Sequence, residues 1–528
     1  MNEPSLTHPR LTLAAASGAC ALIILDTNIV ATSLPTIARD LSANLVDIEW
    51  VVSAYLLSFA ALLLPAGSLA DRFGRRYILQ LGLVLFMAAS IACAMSPSLL
   101  ILDLARAAKG IGAAMLLTSA LASIGHCFQE PQQRARAWAA WGTCMGLVIT
   151  IAPLLGGVIT ALIGWRWIFW LNLPLGLLLL WAIHQLLPES RDTGAARVDP
   201  LGALTFSAAL ACLMWGLIEV GRTGWSDSLN ITRLLAGLGL LAVFVWIEAR
   251  QCRPMIDLSL FRHARFNAAL LAMFAYAGCA QVMMTLLPFY LQNGLGFSSI
   301  ESGLGMLPFA LAMLVMPRVG GHLAVHWQPA SLMSSGLALV SLGNLLCASA
   351  TLNASYLTFA FASIVLGAGA GLLNGDTQKN IMACIPPDRL GMGSGMSTTM
   401  RFSAISLAIG IYGALLSLFT NSALSESLKS LAPQWADHSN LVASRVAAGD
   451  LASALEGLPA ALHEPVGTLA RHAFIQGFGQ MLLVAALAAI VAAVLVGIYL
   501  RRPLPGEIKA SSPVQTRCRS LRATNKTL

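Results

Sequence analysis

The chain has 528 residues, of which 57% are hydrophobic and only 11% charged. That is more apolar side chain than one water-soluble core of this length buries, which excludes an ordinary soluble enzyme and makes lipid the solvent for most of the molecule. The formal net charge of +8 is carried by single Lys and Arg residues scattered between apolar runs, a pattern that sets membrane topology and gives no reason to expect a nucleic-acid partner.

The polar start, Met1 to Arg10, runs into a long apolar stretch without a small-residue cleavage site, so the first helix is expected to be retained. A hydrocarbon core of about 30 Å takes roughly 20 apolar residues per helix. About fourteen such runs follow in chain order, at 12–34, 50–70, 77–97, 99–122, 137–162, 166–187, 200–220, 230–249, 266–291, 303–325, 330–350, 355–377, 394–419 and 473–499. An even number of spans puts both termini on one side. The connection 420–472 is polar enough to leave the membrane, although Leu424, Leu428 and Leu431 keep helical spacing. Beyond Leu500 the chain is Ser-rich and basic and reads as a cytoplasmic tail, 501–528. The ten cysteines, such as Cys93, Cys144, Cys212 and Cys279, fall mostly inside apolar runs without metal-ligand spacing, so no metal site is expected.

The tails and even-numbered connections hold about twenty-two basic residues, among them Arg134, Arg136, Arg250, Arg253, Arg262 and Arg265, against about seven in the odd-numbered ones. The positive-inside rule therefore places both termini in the cytoplasm and 420–472 outside.

The connection after the second run reads GSLADRFGRR, Gly67 to Arg76. Gly67 permits close helix contact, Asp71 is an anion suited to a helix N-terminus, and Arg72, Arg75 and Arg76 anchor the loop at the membrane surface. The spacing of Gly67, Asp71, Arg72, Gly74, Arg75 and Arg76 resembles the loop signature of the major facilitator superfamily. Further segments resemble its fourteen-helix drug:proton antiporter branch, the EmrB/QacA type. LDTNIVATSLPTIARDL (Leu25 to Leu41) is similar to the branch's first-helix signature, with Asp26 as its acid and Pro35 near the outer end. Arg106 and Gly110 match the Arg-x-x-Gln-Gly element of helix 4, with Lys109 in place of the glutamine, a departure that bears on which substrate charge is preferred. Gly142, Gly146, Pro153, Gly156 and Gly157 resemble the helix 5 signature of exporters, a kinked helix with a glycine face that packs tightly where two halves rock. WRWIFWLNLPLG (Trp165 to Gly176) is similar to the start of helix 6. Resemblance is weaker later, in FYLQNGLGFSSIESGLG (Phe289 to Gly305), GMGSGMSTTMRF (Gly391 to Phe402) and MPRVGGHLAVHW (Met316 to Trp327).

The resemblance implies an all-α integral membrane protein: a six-helix bundle over 12–187, two inserted helices with linkers over 188–249, and a second six-helix bundle over 250–500. It implies alternating access around a site near the midplane. The leading expectation is proton-coupled export of amphipathic or cationic compounds across a bacterial inner membrane, by a monomer with no catalytic residue and no cofactor beyond the coupling proton. A periplasmic adaptor is a candidate partner. An exporter of one metabolite or siderophore, or a proton-coupled importer, are the alternatives. No G-x-x-x-x-G-K-[ST] loop is present for ATP.

Ionisable residues at membrane depth cost several kcal/mol unless paired or wet, which marks them as functional candidates. These are Asp26, Asp103, Arg106, Lys109, Asp376 and Arg401. Asp26 and Arg106 each lie about 12 Å from the outer surface at roughly 1.5 Å rise per residue, so they can meet. Asp103 shares a helix face with Arg106 and offers it a local partner. Asp26, Arg106 and Asp376 are the candidates for proton coupling, and Asp26, Asp103, Arg106, Lys109 and Arg401 for the substrate cavity.

Overall fold

The computed structural model describes residues 9–128, 130–190, 200–251, 258–353, 355–385, 390–431, 442, 446 and 460–500. Every regular element among them is helical. In chain order the long helices are α1 (Pro9–Asp40), α2 (Leu45–Phe73), α3 (Arg75–Ala94), α4 (Leu99–Cys127), α5 (Pro131–Leu162), α6 (Trp167–Leu186), α7 (Pro200–Thr223) and α8 (Ser228–Arg250), then α9 (Ala264–Gly294), α10 (Ser299–Ala324), α11 (Pro329–Leu352), α12 (Tyr356–Ala383), α13 (Leu390–Leu431) and α14 (Ala460–Leu500).

Local chemistry sets the breaks between them. Asn44 and Asp47 form a reciprocal capping box at the start of α2, and Ser298 with Glu301 does the same for α10. Asp227 accepts from the backbone N–H groups of Leu229 and Asn230 at the start of α8. Gly74, at φ +118°, separates α2 from α3 in a conformation that disfavours any residue with a Cβ. Pro131 and Pro329 sit in first turns, where the missing N–H is no loss. In α9, Ala277–Gln281 and Tyr290–Gly294 are π-helical turns.

Thirteen helices among the described residues are long and apolar enough to cross a membrane. The expected span 99–122 is present as α4, which carries Asp103, Arg106 and Lys109 and is not among the thirteen. Within the connection read as 420–472, α13 continues to Leu431 with Leu424 and Leu428 buried, and α14 already begins at Ala460. Helical spacing thus outweighed polarity in that stretch. The basic tail 501–528 lies outside the described residues.

Helices α1 to α6 pack together, α4 between α2 and α3, and α5 and α6 against α1. Helices α9 to α14 form a second group, in which α11 packs on α12 and α14, and α12 also packs on α10. The groups meet along α5/α10, α2/α13 and α1/α9. Helix α7 covers the α2/α13 seam, while α8 packs chiefly on α7 and turns Leu229, Leu235, Leu238 and Trp246 outward, as a lipid-facing helix does.

Candidate functional site

Asp26 on α1 faces α4, where Arg106 and Lys109 are three residues apart and share one face. All three side chains are 0% exposed. Arg106 Nη1 donates to Asp26 Oδ2 at 2.8 Å, and Lys109 Nζ donates to Oδ1 at 2.5 Å. Asn172 Nδ2, from α6, donates to Oδ1 at 3.1 Å. Arg106 Nε also donates to the Val51 carbonyl on α2 at 2.9 Å, and its guanidinium lies 4.2 Å from the Tyr55 ring. The Lys109 ammonium stands 4.6 Å from the Phe86 ring and 4.9 Å from the Phe169 ring.

This cluster ties α1, α2, α4 and α6 together through one carboxylate. Charge-assisted bonds are roughly twice as strong as neutral ones, and dehydrated ions are tolerated only when their donors and acceptors are met in this way. The aromatic faces add cation–π attraction, worth about 2 kcal/mol when desolvated. Two cations oppose one acid, so the cluster carries a net positive charge when Asp26 is ionised.

The depth match of Asp26 and Arg106 is therefore a direct ion pair. Two other expectations are corrected. Arg106 makes no ion pair with Asp103, because its side chain reaches across to α1 and α2; Asp103 Oδ1 is buried without a hydrogen-bond partner. Lys109, Asp26 and Arg106 do not line an open cavity in this state, since none has exposed surface. The other two candidates lie in the second group, away from the cluster. Arg401 on α13 donates to the Asn374 carbonyl on α12 at 3.2 Å and lies 5.6 Å from the Tyr276 ring. Asp376 on α12 is half-buried with Oδ2 unpartnered.

Of the helix 5 glycines, Gly156 packs on α1 within the first group and Gly157 lies where the two groups touch. A Cβ on Gly156 would run into Ile29 and Thr32 of α1, and one on Gly157 would overlap the Ser299 carbonyl of α10. Reciprocally, a Cβ on Gly303 of α10 would stand 2.6 Å from the Pro153 carbonyl oxygen. Close by, Gln292 Nε2 of α9 donates to the Thr32 carbonyl at 2.9 Å, and the Thr36 and Ser299 hydroxyls are 3.4 Å apart. Toward the other end of α5 the contact loosens: Gly146 meets only the Leu314 side chain, and Gly142 has nothing within 4 Å. The groups are thus shut at the end that the positive-inside rule places outside.

In the Gly67–Arg76 loop, Asp71 pairs with Arg75 at 2.8 Å. Arg72 lies over the Phe73 ring at 5.5 Å, and a Cβ at Gly67 would make ordinary contact with Thr118 of α4. The residue that organises the turn is Glu189, just past α6. Its carboxylate accepts from the backbone N–H of Arg76 at 3.1 Å and of Tyr77 at 3.2 Å, capping α3, while the Arg76 guanidinium donates to the Leu187 carbonyl at 3.2 Å. Neither Asn172 nor Glu189 is among the residues that the sequence alone points to. Asn172 carries a usable signal as a polar residue inside an apolar run; Glu189 carries none, because its target is over a hundred residues away.

Residues 16–409 match the model of the Major Facilitator Superfamily. The chain is 31% identical over 479 residues to the multidrug resistance protein Stp of Mycobacterium tuberculosis, covering 90% of this chain and 89% of Stp. It is 29% identical to the tetracenomycin C resistance and export protein of Streptomyces glaucescens, covering 95% and 93% of the two chains. It is also 29% identical to the multidrug efflux pump LfrA of Mycolicibacterium smegmatis, covering 91% and 94%. Among solved structures, a bacterial homologue of the human lysosomal transporter Spinster, in an inward-facing and occupied conformation, superposes with a TM-score of 0.64 at 18% identity over 96% of this chain and 100% of that one. With helices packed in two groups, a buried Asp–Arg pair between α1 and α4, and a glycine-faced fifth helix at the seam, this chain belongs to the major facilitator superfamily.

Proposed function

We propose that this protein is a proton-coupled exporter of amphipathic organic compounds in a bacterial plasma membrane, working by alternating access. The observation that carries this reading is the Asp26 cluster: a carboxyl group at membrane depth, hydrogen-bonded by Arg106, Lys109 and Asn172. A proton on Asp26 would remove the charge that holds the two cations and slacken the tie between α1 and α4. Proton release toward the open end would re-form it. The exporter relatives and the interlocked helix 5 glycines support the direction of transport.

The net positive balance of the cluster disfavours a cationic group beside Asp26, which narrows the expected substrates toward uncharged amphiphiles. In inside-out vesicles holding the protein, an imposed proton gradient should drive uptake of a fluorescent amphiphile, and collapsing the gradient should stop it. Gradient-independent uptake, or none for any member of a dye panel, would sink this reading.

Both termini and the Gly67–Arg76 loop belong in the cytoplasm on this reading, with the α13–α14 connection outside. A cysteine at Ser422, exposed near the end of α13, should react with an impermeant thiol reagent added to intact cells whose native cysteines have been replaced. Labelling only after permeabilisation would reverse the orientation.

A further inference from the structure

Glu49 stands in the first turns of α2, outside every motif in the sequence. The chain passes directly from Asp40, the end of α1, into α2. Glu49 is therefore at the same end of the molecule as the Thr32–Gln292 bond. Its side chain projects into the seam between α2 and α13, where the two groups of helices meet. The residue is 6% exposed, and Oε2 is buried with no hydrogen-bond partner. Its carboxyl group presses on the backbone of α13 so closely that a Cβ at Gly413 would overlap it. Helix α7 seals the seam, with Leu210, Met214 and Ile218 clustered with Val46 and Ala60 of α2, and Leu217 and Ile218 against Gly410.

Glu219, half-buried beside Ile218 near the outer end of α7, is a second acid at this level and supplies no counter-ion; the other titratable and charged groups on the surrounding helices are occupied elsewhere or distant along them. Asp47 accepts from the Asn44 backbone, and Tyr412 has its hydroxyl 3.6 Å from Cys279 Sγ. Arg401 donates to Asn374, and Asp103 is on α4 across the opposite face of α2. Among the described residues, none forms an ion pair with Glu49. A carboxylate so placed would be dehydrated without a counter-ion, whereas the neutral acid loses far less on burial. The seam can shut only on the protonated group, and it must part when the outer end opens.

We propose that Glu49 is a second proton-binding site, loaded from the outer side, whose neutralisation is required for α2 and α13 to close. The proton comes from outside water as the seam shuts and returns there as it opens, so none crosses the membrane on this group. External acid then favours the outer-closed state and external alkali the outer-open one. This rests on the alternating-access reading above but not on the identity of the transported compound or on the Asp26 cluster.

The test uses the full chain in lipid nanodiscs, native cysteines replaced, with nitroxide labels on Ser42→Cys and Ser422→Cys, both at the outer end. Distances between them are measured by pulsed electron resonance from roughly pH 4 to roughly pH 9, a range that reaches from ordinary carboxyl titration to the displaced values found at buried positions. The parent should shift from a short to a long distance as pH rises. With Glu49→Gln, and with Glu49→Leu as a second neutral variant, the long-distance fraction at high pH should fall to the level the parent shows at low pH. A parent without pH response, or neutral variants that keep the parent's response, would overturn the proposal. So would loss of the response in Asp26→Asn with retention in Glu49→Gln, which would assign the proton to Asp26. If the shift behaves as expected but vesicles take up no dye, the exporter reading falls and the Glu49 site stands; dye uptake with no Glu49-dependent shift gives the reverse.

Discussion

Proton-driven dye uptake is expected to fall to background when Asp26 is replaced by asparagine. The substitution keeps the shape of the group and removes the only anion bonded to Arg106 and Lys109 in the buried cluster. Breaking a buried pair from one side costs about 3–5 kcal/mol, since the partner charge remains dehydrated. Asp26→Asn alone therefore leaves two unbalanced cations and is expected to lower the amount of folded protein as well. The double variant Asp26→Asn/Lys109→Gln separates the two effects: it has one cation and no acid, the same net charge as the native cluster, and should accumulate to near the native level. Its transport should nevertheless be uncoupled, with neither gradient-driven uptake nor proton release on adding substrate. Coupled transport by the double variant would remove Asp26 from the mechanism. Lys109→Gln alone leaves Asp26 with only Arg106 as cation and one oxygen less engaged, so uptake of a cationic dye relative to a neutral one should rise. An unchanged ratio would mean that Lys109 does not set charge preference.

Gly157→Leu should insert normally and fail to transport. The seam of α5 and α10 has no room even for a methyl group at this position, because a Cβ there would overlap the Ser299 carbonyl and stand 3.2 Å from the Ile300 Cα. Overpacking of this kind costs about 1–3 kcal/mol. Here the cost falls on the outer-closed state alone, and a bias of that size moves a two-state equilibrium by roughly 5- to 150-fold. The variant should therefore rest outer-open, read as a longer distance between labels on Ser42→Cys and Ser422→Cys and loss of efflux. Gly142→Leu, with nothing within 4 Å, costs this state nothing and serves as the comparison. Normal efflux by Gly157→Leu would show that the close contact has no part in the cycle.

Most of the helical frame was readable because a lipid solvent imposes one simple rule, an apolar run of fixed minimum length. The Asp26–Arg106 pair was readable for a related reason. Two charges at equal depth in neighbouring helices have few other ways to be satisfied. Lys109 was harder to place: its spacing put it on the right face of α4, but whether it faced a cavity or Asp26 depended on the rotation of α1 and on Asn172 arriving from α6. The supposed Asp103–Arg106 pair failed because helical spacing allows a contact without requiring it, and a flexible arginine stem can reach a better acceptor. Glu49 and Glu189 depend on packing between segments far apart in sequence, and no local pattern reports that.

At its outer end the seam between α5 and α10 is built from glycine set against bare main chain, Gly157 on Ser299 and Gly303 on Pro153. Such a joint orders no rotamers when it forms and frees none when it parts, so the entropy cost of freezing side chains, up to about 2 kcal/mol for a long one, is absent from each opening and closing. Nor must interleaved side chains withdraw from one another before the helices slide. A machine that turns over repeatedly gains from such a bearing: adhesion is modest, friction is low, and the barrier between its two shapes is left for proton and cargo to govern.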